Sequence, residues 1–246
     1  MPVRIPFKPD ALAGERFFRW RGGNVSRLEG LADEVFALAL TFLVIRLEVP
    51  STYGEVQEAL LQVPVYAACF ALFLWIWYCH HQFHRRYGLE GPLTLAIDGA
   101  ILLVVLLFVV PLRFLANYLY WAFADPSRAR AMFSNERTEY WLEMRDLMGC
   151  YAGGFSLVFL LFALQTYPAL RQRKRLELDA LELRVTAGTI GAHLLSAAIG
   201  LAALGTCYWS QATAPFAGLV FFAMGPLHWL YGSWNGKRLV RLEASI

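Results

Sequence analysis

Charged residues are scarce in this chain, and the usual signatures of soluble enzymes are missing. Asp, Glu, Lys and Arg make up 17% of the 246 residues, against about 25% in an ordinary soluble domain. The four cysteines lie in apolar blocks without CxxC spacing, which argues against disulfides and against a thiolate metal site. No phosphate loop, nucleophile elbow or nucleotide fingerprint occurs. We therefore expect no enzyme, no catalytic residue, no cofactor and no nucleic-acid partner.

The chain is rich in apolar residues. They form 58% of the chain, and the mean hydropathy is +0.45. Several apolar blocks reach the roughly 20 residues that cross a bilayer as a helix. The sequence predicts an all-α polytopic membrane protein with six transmembrane helices, at about 28–49, 59–79, 93–115, 147–167, 185–209 and 214–234.

The positive charges are placed unevenly along these spans. Residues 1–27 contain six Lys or Arg and no apolar leader segment, and the loop 171–184 and the tail 235–246 are also basic. The loops on the opposite side hold only four arginines. By the positive-inside rule this predicts a multi-pass protein of the cell membrane. Its cytoplasmic arm is 1–27, its membrane domain 28–234, and its cytoplasmic tail 235–246.

The first span is the most polar, and ionisable groups within a span usually face protein or water. Positions three and four apart form a stripe, and the stripe comprises Leu31, Glu34, Leu38, Thr41, Ile45 and Glu48. Around an axis shared by several subunits, this stripe predicts acidic pore mouths at Glu34 and Glu48 with apolar rings between them. The same pattern also fits an ordinary packed helix, in which Thr41 bonds its own backbone.

The residues of the first three spans resemble a known family. The stretch 27–41, RLEGLADEVFALALT, is similar to the first-helix signature of the transmembrane protein 175 family of potassium channels, an Arg followed after three residues by Phe-Ser-Asp. The second span ends with Trp77, His80 and His81, similar to the Trp and His-His pattern of that family, and Pro111 lies near the family's Pro-Phe. The number and spacing of spans resemble its prokaryotic members.

This resemblance implies a homotetramer in a lipid bilayer that passes potassium ions along a central pore lined by the first helix. Carried over by position, Leu38 is the main hydrophobic gate, Thr41 the hydroxyl layer of selectivity and Ile45 a further apolar ring, while Phe42 flanks the lumen. The family lacks the potassium-channel filter loop, and no Thr-Val-Gly-Tyr-Gly stretch occurs here.

The chain departs from the family pattern at the segment that braces the first helix. Leu31-Ala32-Asp33 replaces Phe-Ser-Asp, so the aromatic ring and the hydroxyl are lost and the acid is kept. Glu34 stands where a glycine is common, and Asp98 where an asparagine is expected.

We expect a replacement brace built from Arg27, Asp33, His80, His81 and Asp98. In it Asp33 pairs with Arg27 or His81, and Asp98 pairs with His80 or Arg85. A metal site at His80, His81 and His84 is not expected, because no carboxylate or thiol is spaced in the sequence to complete it.

Two alternatives to a potassium channel stay open. A proton-coupled carrier could use Asp33, Glu34, Asp98 and a histidine as a relay, although these acids lie near one end of the spans. A family member with an altered brace could also assemble but conduct poorly, with Phe42 or Leu38 closing the path.

Overall fold

The computed structural model describes residues 15–23, 25–44, 50–210, 213 and 216–245. Ile45 and Glu48 of the predicted stripe, and residues 1–14 of the predicted arm, lie outside this part. The described residues form nine α-helices: α1 (Arg27–Val44), α2 (Tyr53–Leu61), α3 (Val63–Tyr87), α4 (Pro92–Ala124), α5 (Pro126–Ala131), α6 (Arg137–Arg171), α7 (Ala180–Trp209), α8 (Ala217–Val220) and α9 (Met224–Glu243). Within the same residues the only β feature is an isolated bridge between Glu15 and Phe18. The all-α prediction is confirmed.

Four of the described helices, α3, α4, α6 and α7, are long and apolar enough to cross a membrane. They correspond to the second to fifth predicted spans. Helices α4 and α6 extend beyond the predicted limits at both ends, α3 begins and ends later than predicted, and α7 begins earlier than predicted and ends at the predicted residue. The first predicted span overlaps α1, which begins one residue earlier, is 18 residues long and has several charged residues near its start. The sixth contains α8, a 3-10 turn at Phe221–Ala223 and the start of α9.

Local signals explain where several helices begin and break. The Asp125 side chain accepts hydrogen bonds from the backbone N–H groups of Ser127 and Arg128, and Pro126 occupies the first helical position of α5. A short surface helix therefore follows α4. The last helical segment breaks at the 3-10 turn, just before Gly225-Pro226, so that Pro226 falls in the first turn of α9, where proline is tolerated.

The core forms where α4 packs against α1, α3 and α6. Ile101 and Val105 of α4, Phe73 of α3 and Phe159 of α6 are fully buried there. The Gly153-Gly154 pair of α6 lies where α4 packs against α6. A Cβ at Gly154 would lie 2.7 Å from the Phe108 ring of α4, so a glycine is required at this contact.

Candidate functional site

Helix α1 has one face that packs against the rest of its own subunit. Ala32, Phe36, Ala39 and Leu43 are buried on this face, and they recur at intervals of three and four residues. That interval places the four side chains in one row along the helix. They join the core formed with α3 and α4, which fixes the rotation of α1 about its axis.

The opposite face of α1, here called the exposed face, carries Leu31, Glu34, Leu38, Thr41 and Phe42. The side chains of Leu31, Leu38 and Phe42 are 51%, 46% and 53% exposed. The described part of the predicted stripe therefore lies along this face. Three large apolar residues within 12 positions form a surface that is normally buried by a partner or lipid.

The Thr41 side chain is hydrogen-bonded to its own helix, as expected for an ordinary packed helix. Its Oγ1 donates to the Ala37 carbonyl oxygen at 2.8 Å. This bond uses the hydroxyl proton and leaves the oxygen lone pairs on the exposed face, where they can accept from water or coordinate a cation.

The first turn of α1 is anchored by a capping box that the sequence analysis missed. The Glu29 backbone N–H donates to Ser26 Oγ at 3.1 Å, and the Ser26 N–H donates to Glu29 Oε2 at 2.8 Å. Arg85 of α3 adds a hydrogen bond to the Gly23 carbonyl oxygen at 2.8 Å. The Ser-x-x-Glu spacing is a known helix-start signal and could have revealed this anchor from the sequence.

Asp33 connects α1 to α3 through a tryptophan. Trp77 Nε1 donates to Asp33 Oδ1 at 2.7 Å, and the Trp77 ring stacks on His81 with centroids 5.2 Å apart. Of the expected brace residues, the structure thus brings Asp33 to Trp77 and places His81 behind that ring, while Arg27 is exposed.

Asp98 lies in a buried cluster with two histidines and a glutamine, here called the Asp98 cluster (His80, His84, Asp98 and Gln165). His80 Nε2 lies 3.5 Å from Asp98 Oδ1, and His84 Nε2 lies 3.1 Å from Asp98 Oδ2. Gln165 Nε2 donates to Asp98 Oδ1. The pairing of Asp98 with His80 was among those expected, whereas His84 and Gln165 were not assigned to it.

The N-terminal segment is tied to the start of α7 by a buried carboxylate. Glu182 accepts from the Arg19 backbone and guanidinium at 2.9 to 3.1 Å and from Arg21 Nη2 at 2.6 Å. The side-chain hydrogen bond to Glu182 raises the pKa of Arg19 above its ordinary value. Nearby, Arg86 of α3 pairs with Glu15 at 2.7 Å. These contacts hold residues 15–21 against the ends of α3 and α7.

The chain is similar in sequence to known potassium channels. Residues 27–111 match the family model described as endosomal/lysosomal potassium channel TMEM175. A potassium channel of Marivirga tractuosa is 30% identical over 230 residues, which cover 92% of this chain and 93% of that protein. The chain belongs to the TMEM175 family.

Solved structures of TMEM175 proteins have the same fold. A crystal structure of a variant of the potassium channel MtTMEM175, bound to a nanobody fusion, superposes with a TM-score of 0.76. It is 28% identical in sequence and covers 91% of this chain and 99% of the solved chain. A TMEM175 homologue from Chamaesiphon minutus, 20% identical, superposes with a TM-score of 0.54 and shares the fold, with 83% of this chain and 96% of that chain covered.

Membership of the TMEM175 family is consistent with the expectation that the chain is not an enzyme. The family consists of ion channels and is not a class of enzyme. The matched segment 27–111 includes α1, α3 and most of α4, and so includes three of the four residues of the Asp98 cluster. Together with the four apolar helices, membership identifies the chain as a membrane protein.

Proposed function

We propose that this TMEM175 protein is a potassium-preferring cation channel in which four copies of α1 surround a central pore. The observation that carries the proposal is the exposed face of α1, whose large apolar side chains are left about half exposed by the described residues of the subunit. A fourfold arrangement buries this face around an axis and gives it a function. The name of the Marivirga relative, a potassium channel, supports the choice of ion.

In this arrangement Leu38 forms the main gate. Four leucine side chains at one level of a narrow pore exclude water, and an apolar constriction blocks ions without any charged plug. Phe42, one turn further, flanks the lumen, and Ile45 supplies a further apolar ring.

Thr41 lies between these apolar levels and supplies the only hydroxyl of the described part of α1. Four Thr41 oxygens can replace part of the hydration shell of a potassium ion, as carbonyl oxygens do in other filters. Glu34 and Glu48 form acidic mouths that raise the local concentration of cations.

The brace of α1 is assigned to Arg27, Asp33, His80, His81 and Asp98. The hydrogen bond from Trp77 to Asp33 supports it, because it links α1 to α3 even though the family's serine is Ala32 here. A retained link of this kind favours a conducting channel over a member that assembles but stays closed.

We assign the first and sixth membrane spans to α1 and to the α8–α9 segment, which gives six spans in the cell membrane with both termini cytoplasmic. In this topology the arm 1–27 and the tail 235–246 flank a membrane domain of 28–234. The arginines that hold residues 15–21 to α7 then lie on the cytoplasmic side, as the positive-inside rule favours.

Ion flux from liposomes tests the proposal. Purified protein is reconstituted into vesicles that hold an outward gradient of either potassium or sodium, with no imposed pH gradient. The potassium gradient should be dissipated faster than the matched sodium gradient. Flux that requires a pH gradient would instead indicate a proton-coupled carrier, and no flux above that of empty vesicles would contradict a channel. Native mass spectrometry of the same sample should give four times the 27.8 kDa subunit mass.

A further inference from the structure

The Asp98 cluster combines complete burial with incomplete hydrogen bonding. His80, His84, Asp98 and Gln165 are at most 3% exposed. Yet His80 Nε2, His84 Nε2, Asp98 Oδ2 and Gln165 Oε1 lack a hydrogen bond of good geometry in the described structure. Buried polar atoms are normally satisfied, and one ligand shared by these four atoms would satisfy them all, including His84 Nε2 and Asp98 Oδ2, which face each other at 3.1 Å.

The donor atoms are those of a transition-metal site. Two imidazole nitrogens come from positions four apart on α3, a spacing that directs both rings to one side of the helix. Asp98 of α4 adds a carboxylate oxygen, and the three ligand atoms all lie within 4.8 Å of one another. Imidazole nitrogen and carboxylate oxygen bind zinc at about 2.0 to 2.2 Å, so two ligand atoms of a tetrahedral ion lie about 3.4 Å apart. The separations between Asp98 and the two histidines, 3.5 and 3.1 Å, are close to this value.

The charge of the cluster favours a cation. No arginine or lysine of the described residues lies within salt-bridge distance of Asp98, since Arg85 faces Glu29 and Arg86 pairs with Glu15. The two histidines are the basic groups of the described structure that face Asp98, and a buried carboxylate is costly unless its charge is balanced. A divalent ion would neutralise Asp98 and use the open positions of both histidines.

We propose that His80, His84 and Asp98 bind a divalent transition-metal ion of the zinc type, with the carbonyl oxygen of Gln165 as a fourth ligand after its amide rotates. In the sequence, no carboxylate is spaced to complete a metal site with these histidines. The fold supplies one from α4. The ion would connect α3, α4 and α6 through His80 and Asp98, which also belong to the proposed brace of α1, and this assignment does not depend on whether the protein conducts potassium.

Zinc binding to the tag-free, detergent-solubilised chain tests this site. After chelator treatment and dialysis, titration with zinc chloride should give one ion per subunit by calorimetry and by elemental analysis. Asp98→Asn and His84→Ala should each weaken binding about 100-fold or more, since each removes or neutralises a ligand.

Two histidines elsewhere in the protein serve as matched controls. His81 lies between the two proposed ligands on α3 but stacks on Trp77, and His193 is a buried histidine of α7 that stacks on Phe162. His81→Ala and His193→Ala should retain the wild-type affinity. Equal losses in the control variants, or no zinc bound by the wild-type chain, would overturn the proposal.

X-ray absorption at the zinc edge gives a second readout that needs no variant. The wild-type complex should show two imidazole ligands and oxygen ligands near 2.0 Å. A cluster that is only a hydrogen-bonded brace would not give this spectrum. Sulfur ligands, or fewer than two imidazole ligands, would mean that the ion binds elsewhere and would overturn the proposal.

Discussion

Leu38 shows how the surroundings of one side chain can suggest its role. A leucine that is about half exposed is ordinary by itself. On α1, however, it lies between Glu34 and Thr41 on a face opposite four fully buried residues. Its exposure in the subunit is therefore a consequence of how α1 is rotated, and its proposed role is to close a path that only the assembly creates.

Leu38→Ala should raise the basal potassium flux of reconstituted protein, because four smaller side chains leave a wider and more easily wetted constriction. A barrier lowered by about 1.4 kcal/mol gives about a tenfold increase. Potassium flux from vesicles measures it. Leu157→Ala is the matched control, since Leu157 of α6 is 45% exposed but is not on α1; an equal increase in both variants would exclude Leu38 as the gate.

Thr41→Val should reduce the preference for potassium over sodium while preserving conduction. Valine keeps the shape of threonine and removes the oxygen, so the ion loses four coordinating groups at one level. The reversal potential under bi-ionic potassium and sodium conditions should shift towards zero. Thr41→Ser, which keeps the hydroxyl, should stay near the wild type. An unchanged reversal potential in Thr41→Val would mean that Thr41 only bonds Ala37.

At the scale of elements, α1 depends on contacts made by other helices. Its capping box with Ser26 sets the start, its buried face sets the rotation, and Trp77 of α3 holds Asp33 from the side. Periodicity predicted the stripe along α1, because a 3.6-residue repeat is visible in the sequence itself. The Trp77 bond joins residues 44 positions apart and needed the tertiary structure.

Trp77→Phe should loosen the attachment of α1 to α3. Phenylalanine keeps an aromatic ring beside His81 but cannot donate to Asp33. A hydrogen bond of this type contributes about 1 kcal/mol, so the thermal midpoint and the tetramer fraction in detergent should fall modestly. Trp75→Phe, a change on the same helix that removes no bond to Asp33, is the control. If Trp77→Phe and wild type unfold alike, the brace does not run through this bond.

At the scale of the whole molecule, the sequence predicted the all-α membrane class well and the buried polar sites poorly. Long apolar blocks follow directly from composition, and four of them became helices long enough to span a bilayer. The Asp98 cluster could not be read in the same way, because Gln165 lies 67 positions after Asp98. Residues 45–49, which complete the first predicted span, lie outside the described part of the chain.

The proposed function of the exposed face of α1 depends on assembly, and cysteine accessibility along α1 tests that proposal most directly. In a background where the four native cysteines are replaced by alanine, single cysteines are introduced along α1, and block of potassium current by silver ions is measured. Leu31→Cys, Leu38→Cys and Thr41→Cys should be blocked, whereas Ala32→Cys, Ala39→Cys and Leu43→Cys should conduct unaffected. Block that follows the buried face, or that shows no helical period, would contradict a pore lined by α1.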